Sequence, residues 1–77
     1  MMKTLVFYTL VDCRTLEFLK EDGYTDDSLF QALRIETLQE AQDYLENEVD
    51  EYSRPNFFIY KARLSCYLEL MERDEMQ

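Results

Sequence analysis

Between Thr37 and Pro55 the chain has one stretch that fits a helix and nothing else, and it limits what the remainder can build. Thr37-Leu38-Gln39-Glu40 is a capping box, in which the Thr37 hydroxyl accepts from the Glu40 amide and Glu40 reaches back to the Thr37 amide. Leu38, Ala41, Leu45, Val49 and Tyr52 then recur at helical spacing as one narrow apolar stripe. Ser53-Arg54-Pro55-Asn56 closes the run, because Pro55 disfavours helical geometry at the residue before it. The predicted helix spans about Leu38 to Tyr52.

The flanking segments read as strands. From Phe58 every second residue is apolar as far as Leu70, while Lys61, Arg63, Ser65 and Glu69 alternate with them. That period of two predicts a strand whose Phe58, Tyr60, Ala62 and Leu64 face is buried. A competing pattern makes Ala62 to Glu75 a helix with Leu64, Tyr67, Leu68 and Met71 as its stripe; the strand is preferred. Thr4 to Val11 is rich in β-formers and apolar on both faces, as a central strand is. Arg14 to Leu19 fits a hairpin strand or a short helix, and Leu29 to Glu36 a strand or a helical turn. Glu21 to Asp27 is a polar loop. The expected architecture is α+β: a small antiparallel sheet of three or four strands packed against one amphipathic helix, with residues 1–77 as a single domain.

At 77 residues the core is thin and stability marginal. A domain of this size without staples gains stability from a partner or from self-association. Eight Lys and Arg stand against seventeen Asp and Glu, for a net charge of −9. Nucleic acid and anionic lipid repel such a chain, so direct contact with either is not expected. The uncharged run from Thr4 to Val11 is broken by two Thr and lacks a signal-peptide cleavage site. Asp12 spoils the faint lipoprotein-like string Leu10 to Cys13. No run approaches a membrane span. The expected location is the cytoplasm.

Catalytic signatures are sparse. The chain has no His for acid–base work, and its single Gly forbids a phosphate-binding loop. Ser28, Ser53 and Ser65 lie in no nucleophile-elbow pattern. Cys13, beside Arg14, lacks an activating base, and Cys13 and Cys66 cannot build a zinc site. Both are expected as buried or partly buried thiols. Asp22, Asp26 and Asp27 lack calcium-loop spacing, and a pair such as Glu17 with Glu21 arises by chance in so acidic a chain. A binding protein that is not an enzyme, without metal or cofactor, is the expectation.

The acidity is concentrated. Glu36 to Ser53 holds seven acids and no Lys or Arg, while everything else holds ten acids and eight bases. On a helical projection Glu36, Glu40, Asp43, Glu46, Asp50 and Glu51 lie opposite the apolar stripe, with Glu48 near its edge. Over Glu36 to Asp50 the row extends roughly 21 Å. A helix face selected for stability alone mixes signs, since like charges four apart destabilise it. Glu48, Asp50 and Glu51 also crowd the end where the helix dipole disfavours anions. These seven acids, flanked by Tyr44, are the candidate partner-binding residues. The expected partner is a basic protein, DNA- and RNA-binding enzymes among them.

In size, acidity and lack of catalytic residues the chain resembles, in type and in no particular motif, the small phage-encoded inhibitors of host defence nucleases. Anti-CRISPR and anti-restriction proteins are the examples. That resemblance implies a nucleic-acid mimic that fills a basic groove. The alternative is a homodimeric or accessory assembly module that binds through an apolar strand surface. Its contacts are Phe57, Ile59 and Tyr67, or the strand's unpaired edge.

Overall fold

A computed structural model describes residues 1–71 of the chain. Four strands form one antiparallel sheet: β1 (Met2–Asp12), β2 (Phe18–Leu19), β3 (Thr25–Asp26) and β4 (Phe57–Tyr67), in the order β3-β2-β1-β4. A helix, α1 (Leu38–Asn47), packs on one face. The α+β expectation therefore holds, with four strands.

β1 is central, as its two-sided apolar pattern predicts. It pairs with β4 along its whole length, from Met2 opposite Tyr67 to Asp12 opposite Phe57. On its other edge it meets β2 at Val11–Phe18 and bridges to Ile35 from Tyr8. β2 and β3 are two residues each, too short to carry a periodic signal. The β2–β3 turn uses Gly23 at φ 89°, a conformation other residues avoid. Asp12 holds the β1–β2 turn. Its carboxylate, almost fully buried, accepts from the Arg14 amide at 2.9 Å and from Arg14 Nη2 at 3.0 Å.

The helix begins where its capping signal places it, with the Glu40 amide donating to Thr37 Oγ1 at 3.1 Å. It ends earlier than Tyr52. The Glu48 amide still donates to the Tyr44 carbonyl, but Asp50 then turns the chain, accepting from the Tyr52 amide and from both the amide and hydroxyl of Ser53. Pro55 sets only an outer limit; the turn built on Asp50 takes precedence.

Two clusters make the core under α1. One joins Leu10, Leu19, Val49 and Phe57, the other Leu33, Ile35 and Ala41, and Tyr44 and Ile59 pack against both. The expected stripe is thus corrected at both ends: Leu38 is 47% and Tyr52 93% exposed, and Tyr44 packs inward in their place. The buried face of β4 is corrected too. Phe57 and Ile59 pack toward α1, whereas Phe58 and Tyr60 lie on the opposite side, 53% and 52% exposed. Residues 57–60 are all apolar or aromatic, so alternation alone does not say which set the helix covers.

Beyond Tyr8 and Lys61 the sheet narrows to a ribbon of β1 and β4 alone, exposed along most of its length, and the molecule measures 54 × 22 × 18 Å. The strand expectation holds through Tyr67. The rest of the competing helix, from residue 72 onward, lies outside the described residues. No helix among the described residues is long and apolar enough to cross a membrane.

Candidate partner-binding surfaces

All seven acids of the expected site are exposed. Their arrangement differs from a single helical ridge. Glu36 precedes the N-cap, Glu40, Asp43 and Glu46 lie on α1, Glu48 is its C-cap, and Asp50 and Glu51 sit in the turn that follows. The helical part of the row, Glu40 to Glu46, covers roughly 9 Å at 1.5 Å per residue. The acids are therefore spread over the helix and the segments at both its ends, because the helix stops at Asn47.

Among the described residues the ion pairs are Arg14–Asp12 and Lys20–Asp22, so none of the seven is neutralised by a direct salt bridge. Asp50 has a structural task of its own. Hydrogen bonds from the Ser53 amide and hydroxyl, and from the Tyr52 amide, hold its carboxyl below the ordinary aspartate value. Asp43 accepts from Gln39 Nε2 at 3.1 Å.

The anions crowding the C-terminal end of α1 have a compensating cation. Arg54 donates from Nε to the Leu45 carbonyl at 3.0 Å, and from Nη2 to those of Glu46 at 2.8 Å and Val49 at 3.1 Å. A guanidinium on the last carbonyls satisfies acceptors the helix leaves open and opposes the dipole's negative end. The penalty read from Glu48, Asp50 and Glu51 is thereby reduced. The acidic segment was bounded at Ser53, one residue short of the arginine that serves it.

Tyr44 lines a groove together with Glu40, Asp43 and Glu48, and it also packs inward. It is half-buried between the two core clusters, and burial, with Glu48 and Glu21 nearby, pushes its hydroxyl above the ordinary tyrosine value. The groove is shallow, about 310 Å³, lined by Glu40, Asp43 and Glu48 on one side and Arg34 on the other.

The side of the sheet turned away from α1 is a different kind of surface. Phe7, Thr9 and Val11 of β1 belong to it and are nearly buried, and Thr9 and Val11 with Leu16, Phe18, Leu29, Tyr60, Lys61 and Ala62 line a groove of about 360 Å³. The Arg34 guanidinium stacks 5.4 Å from the Phe7 ring centroid. Thr9 Oγ1 is buried with no hydrogen-bond partner. Sequence reasoning placed the apolar contact surface on Phe57, Ile59 and Tyr67. Of these Phe57 is in the core, and the free apolar surface has the opposite parity. Leu16 carried no signal in the sequence, because its role depends on a turn conformation.

The outer edge of β4 has no backbone partner among the described residues, as expected of a last strand in this order. Cys13 and Cys66 are both exposed, contrary to the expected buried thiols: one lies in the β1–β2 turn, the other on the narrow ribbon. Among the described residues no three His, Cys, Asp or Glu side chains gather as a metal site. Another groove, about 480 Å³, is lined by Lys20, Glu21, Asp22, Arg34 and the residues around Phe30. No protein-family model, curated protein or solved structure matches the chain.

Proposed function

We propose that this chain is a binding protein and not a catalyst, and that its acidic flank occupies a cationic groove of a nucleic-acid-handling protein. The observation that carries this is the exposure of Glu36, Glu40, Asp43, Glu46, Glu48, Asp50 and Glu51 with no salt bridge to any of them among the described residues. Uncompensated like charges on one flank lower local stability by a few tenths of a kcal/mol per pair. They also create a field that steers a cationic surface into contact. A groove built to take phosphates accepts such a flank in place of nucleic acid. The chain then acts as an inhibitor by competition, and defence nucleases are one class of target.

The test begins with affinity capture from a host lysate at low salt. Any nucleic-acid enzyme recovered is purified and assayed for substrate binding against rising concentrations of the chain. The expected outcome is inhibition that excess DNA or RNA relieves and that moderate salt abolishes. The triple variant Glu40→Lys, Asp43→Lys, Glu46→Lys changes only exposed positions and should stay folded. If that variant inhibits as well as the original, the acidic flank is only a solvated surface.

A further inference from the structure

Leu16 is held at φ 60°, the left-handed backbone region that glycine or asparagine occupies at little cost. Its side chain is 69% exposed, so burial within its own chain does not offset the strain. It stands on the rim of the groove that has Thr9 and Val11 in its lining and Tyr60 as another wall. A strained backbone that presents a large apolar side chain to solvent marks a position where that side chain is used.

We infer that this sheet face is covered by a second copy of the chain, packed face to face about a two-fold axis. Leu16 and Tyr60 of each copy then lie over the groove of the other. Charge selects this occupant. Each copy carries −9, so two copies repel through their acidic flanks, whereas no acid lines this groove: the charges beside it are cations, Lys61 in the lining, Arg34 over Phe7 and Lys3 at the far end of the strand pair. An apolar patch free of acids packs against its own copy, as an isologous contact requires.

Size agrees. With strands of 11 residues, the face measures roughly 37 Å by 15 Å, on the order of 550 Å² per copy and 1,100 Å² in total, just above the about 1,000 Å² of a specific interface. The ribbon beyond Tyr8 adds a reason, since two strands exposed on both faces are marginal in water and a covering layer stabilises them. The free edge of β4 is the poorer contact. Paired antiparallel about Ala62, two such edges set Lys61 of one copy against Arg63 of the other, like charges that disfavour the pairing.

Sedimentation equilibrium of the full chain tests this. The expected mass is twice 9.4 kDa at roughly tens of micromolar, and it should persist at high salt. A monomer under those conditions overturns the proposal. Leu16→Asn relieves the backbone strain, so the diluted monomer should resist urea as well as the original or better. The same change should weaken the dimer at least about tenfold. Tyr60→Arg should weaken it at least about 30-fold, with circular dichroism reporting the fold. A dimer that tolerates Leu16→Asn, or that tightens on Arg63→Glu as an edge-paired one would, is not formed through this face, and the proposal fails.

Discussion

Tyr8 and Ile35 exchange two backbone hydrogen bonds, 2.7 and 2.9 Å long, and among the described residues they are the last pair on that edge of β1. Toward Met2 the strand keeps β4 alone as its neighbour. In an antiparallel ladder alternate residues point their backbone groups to opposite edges. Tyr8 points away from β4, and so do Met2, Thr4 and Val6.

Hydrogen exchange should resolve that boundary. The amides of Thr4 and Val6 are expected to exchange at least about tenfold faster than those of Tyr8 and Leu10, read residue by residue by NMR. A face-to-face dimer leaves these edge amides free, so the contrast persists in it. Equal protection along β1 would mean that the free edge is occupied.

Arg54 links the end of α1 to the turn before β4. Arg54→Ala should lower the unfolding free energy by about 1.5–3 kcal/mol, the range for hydrogen bonds from a charged donor. Arg54→Lys should recover part of it, because an ammonium lacks the planar fork that reaches the carbonyls of Leu45, Glu46 and Val49 together. Urea midpoints of the three proteins, compared at a common slope, provide the measurement.

Acid should weaken the fold through specific carboxylates. The Arg14 guanidinium and amide hold Asp12 below the ordinary aspartate value of 3.8. The Tyr24 amide, with Lys20, does the same for Asp22, and the Ser53 amide and hydroxyl for Asp50. With the folded value below the unfolded one, each contribution is complete above the unfolded value and is lost as pH falls through the folded one. The stability gap between the original and Asp12→Asn is therefore expected to be widest at neutral pH and to close as pH falls below the ordinary aspartate value of 3.8. A gap that stays constant across that range would show that the Asp12 charge is not what Arg14 stabilises.

Thr9 carries a hydroxyl that costs stability where it stands. It is 1% exposed and Oγ1 has no partner, so Thr9→Val keeps the β-branched shape while removing an unsatisfied group. The variant is expected to gain about 1 kcal/mol in urea denaturation. A loss instead would mean that the hydroxyl is engaged in solution.

Much of this architecture is written in short-range chemistry. Thr37 and Glu40 announce the helix start because the cap is a contact between residues three apart. The two-sided apolar character of β1 announces a central strand. What stayed illegible depends on contacts distant in sequence or on backbone conformation. Arg54 reaches back nine residues to Leu45, and Asp50 diverts the chain before Pro55 acts. The alternation from Phe58 onward marks a strand, yet the choice of covered face rests on where Val49 and Leu45 arrive. The acidic segment is legible as composition, and its spread beyond the helix is not, because that follows from the early end of α1.

The register of β1 against β4 also sets when the sheet can form. Asp12 waits for Phe57 and Met2 for Tyr67, so no local hairpin nucleates the longest ladder. Loop closure comes before any reward from pairing, which places the chain among slower folders for its length. At roughly 5–20 residues per second, a ribosome takes some seconds to add the intervening segment. Throughout that interval Val6, Phe7 and Leu10 lack their partner strand, which leaves apolar surface and an unpaired edge uncovered in the nascent chain.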